Sequence, residues 1–120
     1  MKKMFNFLFA VIVCALCAVP RDAHSYIDKT VATLRIMDKA AGKTRKIDAP
    51  VGTMLGIEKL TILVRACKQS DPFDAENFYA FVEITKNEND KIYSNWMNRN
   101  NPGDMPLQNA DYDVWLVECK

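Results

Sequence analysis

Residues 30–37, Thr-Val-Ala-Thr-Leu-Arg-Ile-Met, alternate in character, with Ala32, Leu34 and Ile36 on one side and Thr33 and Arg35 on the other. Period two of this kind predicts a half-buried strand. Asp38-Lys39-Ala40-Ala41-Gly42 comes next as a turn, with Gly42 free to take a positive φ. Lys43 to Ala49 returns as a polar strand whose inward candidates are Ile47 and Ala49. Lysines on such a strand suit the edge of a sheet, where they discourage pairing with other chains. Pro50-Val51-Gly52 and Gly56 predict a second irregular connection. Lys59 to Cys67 is the most apolar strand: Leu60, Ile62 and Val64 share a face, and Leu63, Arg65 and Cys67 lie opposite. Apolar residues on both faces predict a central strand covered on both sides.

Lys68 to Glu76 is a polar loop containing Pro72. Phe78 to Thr85 is rich in aromatic and β-branched residues and predicts another strand. Asn87-Glu88-Asn89-Asp90 is a turn cluster, from which Lys91 to Met97 returns as the second arm of a hairpin. Asn98 to Ala110 is a long polar loop with two prolines. Tyr112 to Cys119 is the last strand, with Trp115, Val117 and Cys119 on one face and Val114 and Leu116 on the other. No helical period with caps occurs beyond the first residues. Short strands between turn signals predict an all-β domain, a small antiparallel β-sandwich, with a closed β-barrel as the alternative.

The beginning of the chain obeys a different rule. Lys2 and Lys3 are charged, Phe5 to Val19 is almost wholly apolar, and Ala23-His24-Ser25 places small residues at both positions a signal peptidase reads. This three-part pattern predicts a secretory signal helix over residues 1–25 and a single mature domain over 26–120. The apolar run is shorter than the ~20 residues of a membrane-spanning helix, and Pro20, Arg21 and Asp22 close it. No stable membrane anchor is expected after cleavage. Cleavage nearer Cys17 is the alternative.

Export changes the available chemistry. The one histidine, His24, leaves with the signal, as do Cys14 and Cys17. Residues 26–120 hold thirteen basic and fourteen acidic side chains, a net charge near −1. A near-neutral domain without a basic patch is not expected to bind nucleic acid. Without histidine, Ser-His-Asp and Cys-His mechanisms fail. Two cysteines cannot furnish a zinc site, and no metal or other cofactor is expected. Cys67 and Cys119 form an even pair in an exported chain and predict a disulfide, with two buried free thiols as the alternative.

Two features remain for function. Tyr93, Trp96 and Met97, with Arg99 just beyond them in the long loop, are candidates for contact with a ligand or partner. The plainer expectation is that Trp96 and Trp115 are core residues of a sandwich that needs large side chains. Paired carboxylates drawn from Glu83, Asp111, Asp113 and Glu118 could act as acid and base on a glycosidic bond. The plainer expectation is that Glu83 faces Arg65 or a lysine as a cross-strand ion pair.

Several strings share order and spacing with a family pattern. They are Ala32-Thr33-Leu34-Arg35 with Asp38-Lys39 and Gly42; Pro50-Val51-Gly52; Leu60-Thr61-Ile62 with Val64-Arg65-Ala66-Cys67; Ser94 with Trp96-Met97; and Tyr112-Asp113-Val114-Trp115-Leu116 with Cys119. Together they resemble a family of small exported bacterial proteins known as domain of unknown function 2155. The resemblance covers nearly all of residues 26–120. It implies a Gram-negative envelope protein in the periplasm and implies no activity. The family tends to have glycine before the Trp-Met pair, where this chain has Asn95 and, after the pair, the polar run Asn98-Arg99-Asn100-Asn101. The expected role is a non-catalytic binding or structural one towards an envelope protein or cell-wall component. A glycan-binding or weakly hydrolytic domain is the alternative.

Overall fold

A computed structural model describes residues 25–120. The signal segment of residues 1–24 lies outside the described residues. The rest is an all-β sandwich of eight strands: β1 (Ile27–Lys29), β2 (Val31–Asp38), β3 (Lys43–Pro50), β4 (Met54–Ile57), β5 (Leu60–Gln69), β6 (Phe78–Lys86), β7 (Asp90–Asn98) and β8 (Tyr112–Cys119). They form two antiparallel sheets and no closed barrel. The larger runs β1-β5-β6-β7, with β4 also on β5; the smaller runs β3-β2-β8.

Alternation explains the packing. Leu60, Ile62 and Val64 of β5, Val82 and Ile84 of β6 and Leu34 of β2 are fully buried between the sheets. Each such side chain stabilises the fold by about 1.5–3 kcal/mol relative to exposure. The opposite face of β5 is only partly covered, with Thr61 and Leu63 half-buried and Arg65 exposed. β5 is therefore central by hydrogen bonding, with β1 and β4 along one edge and β6 along the other. It is not covered on both sides, because the second sheet lies on one face only.

The cysteines depart from strict alternation. Val64 pairs with Val82 and Ala66 with Phe81, so the register skips Arg65. Leu34 pairs with Leu116 and Thr33 with Glu118, so it skips Val117. Each extra residue is a β-bulge that reverses the facing of the residues after it. Cys67 and Cys119, each two positions after its bulge, thus turn from the outer face into the core, at 2% and 4% exposure. There they form a disulfide between the two sheets, with Cα atoms 5.7 Å apart.

The short strands β1 and β4 add to the sequence expectation. Met54–Ile57 pairs with Leu60–Leu63 through a tight turn, although glycine at 52 and 56 suggested an irregular stretch. β3 is the polar edge strand expected, with Ala49 buried and Lys43 to Lys46 exposed. Gly42 has φ 65°, as the turn requires, and Asp38 Oδ1 accepts the Ala41 N–H in the same turn at 3.1 Å.

Candidate functional site

The outer face of the larger sheet carries a strip of aromatic rings. Tyr79, Phe81 and Glu83 alternate outward along β6, between the buried Phe78, Ala80 and Val82. Register then fixes their neighbours. Tyr79 lies between Lys68 on β5 and Asn98 on β7, and Phe81 lies between Ala66 and Trp96. The Phe81 and Trp96 rings meet edge to face, centroids 5.5 Å apart at 78°. Tyr26, just before β1, stands on Tyr79 in the same way, at 5.5 Å and 84°. Tyr26, Lys68, Tyr79 and Trp96 line a shallow hollow of about 280 Å³. Trp96 is 41% exposed and Tyr26 52% exposed.

Charged pairs border this strip. Arg65 Nε donates to Glu83 Oε1 at 2.8 Å, and Lys91 lies 4.0 Å from Glu83 Oε2. Lys68 Nζ is 3.4 Å from Asp28 Oδ1. The Arg65 hydrogen bond holds the Glu83 carboxyl below the usual glutamate range, against a smaller opposing effect of desolvation. The hydrogen bond from Lys86 likewise lowers Asp111. Asp113 lies 3.4 Å from Lys39. Glu83 and Asp111 are thus held ionised, the opposite of what a general acid needs. No group of three or more metal-ligating side chains occurs among the described residues.

The four contact candidates named from sequence do not share one surface. Trp96 points outward. Tyr93 and Met97 point into the core, at 8% and 6% exposure. The Tyr93 hydroxyl donates to the Met105 carbonyl at 2.6 Å and anchors the long loop, while burial raises its pKa and keeps it a phenol. Arg99 is engaged with the neighbouring loop. Its Nη1 donates to Glu76 Oε1 at 3.1 Å and its Nη2 to the Glu76 carbonyl at 3.0 Å, and its guanidinium lies 4.8 Å from the Phe78 ring centre. Asn98 and Asn100 belong to the same clasp. Asn98 Oδ1 accepts from Asn77 Nδ2 at 2.7 Å, and Asn100 Nδ2 donates to the Glu76 carbonyl at 2.8 Å. The polar run after Trp96 therefore ties loop 70–77 to loop 99–111. Leu107, buried, pins the second loop to the sandwich. Trp115 is half-buried on β8.

Residues 32–119 match the model of a family described as an uncharacterized protein conserved in bacteria, DUF2155. The chain belongs to this family. The DUF2155 match runs from β2 to the last residue of β8 and includes the bulges at Arg65 and Val117 and both bridged cysteines. Lys68, Tyr79, Phe81 and Trp96 lie within it, whereas Tyr26 precedes it. No curated protein and no solved structure shows a significant match to the chain.

Sequence reasoning missed Lys68, Tyr79, Phe81 and Tyr26 as members of a site. The signal was present for two of them: period two across Phe78 to Thr85 already puts Tyr79 and Phe81 on the face of Glu83. What β6 alone cannot give is the register that sets Trp96 beside Phe81.

Proposed function

We propose that this is an exported periplasmic β-sandwich that binds a protein of the cell envelope through the outer face of its larger sheet, without catalysing a reaction. The strip Tyr26, Tyr79, Phe81 and Trp96 around its hollow carries this reading. Exposed tryptophan and tyrosine inside a border of charged pairs have the make-up of an interface centre with a polar rim. Export is supported by the charged start, the apolar run and the small residues before Tyr26. Retention of an envelope protein by the purified protein should fall at least about tenfold in Trp96→Ala or Tyr79→Ala. It should persist in Arg35→Ala, on the outer face of the other sheet. Retention unchanged by Trp96→Ala would remove the proposal.

A glycan is the second reading, favoured by the same hollow, whose aromatic lining and Lys68 could stack on and hydrogen-bond a sugar ring. Binding of purified cell-wall polymer that Trp96→Ala abolishes, with no protein retained, would select it. The hydrolytic version is weaker, because Glu83 and Asp111 are each held ionised by a cation.

A further inference from the structure

A second opening, larger than the aromatic hollow, lies away from the aromatic strip and shares no residue with it. It is a cleft of about 500 Å³ lined by Ile36, Asp38, Lys43, Thr44, Arg45 and Glu58. One wall is the β2–β3 hairpin of the smaller sheet; the other is the β4–β5 turn of the larger. Buried Ile36 contributes the apolar part of the lining. Arg45 pairs directly with Ile36, so its side chain starts from the inward face of β3.

Opposite charges face one another here without pairing. Asp38 and Lys43 are direct cross-strand partners, yet no ion pair joins them. Among the described residues, the side chains of Lys43 and Arg45 have no hydrogen bond or ion pair. Glu58 is held in place by a hydrogen bond from the Tyr112 hydroxyl at 3.3 Å. Its φ of 54° is one that L residues other than Asn and Asp seldom adopt. Burial and the nearby Glu58 and Asp38 carboxylates raise the Tyr112 pKa, so this phenol remains a donor to Glu58. The hairpin wall thus carries a guanidinium, an ammonium and the Asp38 carboxylate, and the Glu58 carboxylate stands on the opposite wall.

We propose that this cleft binds a small zwitterion of the amino-acid class, such as a short peptide with both ends free. Its carboxylate pairs with Arg45 and Lys43, and its ammonium pairs with Asp38 and Glu58. A guanidinium suits a carboxylate because it can present two parallel N–H donors. The mixed lining sets the specificity. A simple anion would meet Asp38 and Glu58, and a simple cation would meet Lys43 and Arg45, so a ligand with one charge carries an uncompensated repulsion.

Titration of the purified, isotope-labelled protein with alanyl-alanine, monitored by amide NMR, tests the proposal. The expected result is a saturable shift at amides 43–45 and 58–59, with a Kd of about 1 mM or below. N-acetyl-alanyl-alanine and alanyl-alanine amide, each keeping one charge, should bind at least about tenfold more weakly. Arg45→Gln and Glu58→Gln should each abolish saturation while the remaining amide spectrum stays folded. No saturable shift at the cleft would overturn the proposal. So would equal binding of the capped peptides, or binding unchanged in both variants. A change in self-association with Arg45→Gln and no loss of binding would also overturn it, reducing Arg45 to a guard on an edge strand.

Discussion

Trp96 and Met97 are adjacent in sequence and opposite in role. Met97 is packed between the sheets, so Met97→Ala should lower unfolding free energy by about 2–5 kcal/mol. Trp96 stands on the outer face against Phe81, so Trp96→Ala should cost about 1 kcal/mol of edge-to-face contact. Urea unfolding of the two variants checks the contrast, and equal losses would refute it. The sequence held a clue to this separation. Position 96 differs in parity from 93 and 97, so a regular strand cannot present all three on one face. Nothing in the sequence marked Arg99 as a clasp, because its partner Glu76 lies across two loops. Charged residues supply a second expectation. Asp48, chiefly through the Thr33 hydroxyl, Glu83 through Arg65 and Asp111 through Lys86 all have lowered pKa values. A lowered folded-state value means the contribution is complete above the unfolded value, about 4. It is lost as pH falls through the folded value. Stability should therefore decline below about pH 4, and more shallowly in Asp48→Asn. Tyr93 and Tyr112 have the reverse sign: burial raises both. Their contribution is complete below about pH 10 and lost as pH rises further. Denaturant unfolding across pH should show both limbs, and equal acid slopes in Asp48→Asn and the parent would contradict the assignment.

Among the strands, the bulges at Arg65 and Val117 carry the most information. Six of the eight strands were legible from alternation and turn residues, because a period of two reports one buried face directly. These bulges were not, since each inserts one residue and breaks that period. Strict alternation puts Cys67 with Leu63 and Cys119 with Trp115, on outer faces pointing away from one another. The bulges bring both sulfurs into the core, which links β5 to β8 across the sandwich. Thiol labelling of the unreduced protein should therefore find neither Cys67 nor Cys119 free. Deleting Val117 removes the extra residue and leaves Leu116, Glu118 and Cys119 in regular alternation opposite Leu34, Thr33 and Ala32, so Cys119 should still face inward and the bridge should persist; reactive thiols appearing after the deletion would contradict the role given to the bulge. Because the bridge closes a loop with a sequence separation of 52, replacing both cysteines by alanine should lower stability by about 4 kcal/mol in the loop-entropy account. Guanidinium unfolding of the double variant measures it.

Across the whole molecule, the two sheets present different outer surfaces. The smaller sheet ends in β3, whose exposed Lys43, Arg45 and Lys46 and terminal Pro50 oppose edge-to-edge pairing. The larger sheet instead exposes aromatic rings that run across its face from Tyr79 and Phe81 on the interior strand β6 to Trp96 on the edge strand β7. The all-β class and the bridge could be read from sequence, since they depend on local period and cysteine count. The aromatic surface could not, since it depends on registers between three strands and on Tyr26 arriving from outside the last of them. If this surface meets an envelope protein, photo-crosslinking in intact cells should capture the encounter. Benzoylphenylalanine would be placed singly at positions 79, 96 and 35. Positions 79 and 96 should each yield one discrete protein adduct, and position 35, on the opposite sheet, should yield none. An adduct from position 35 alone, or no adduct from either aromatic position, would contradict envelope-protein binding through the larger sheet.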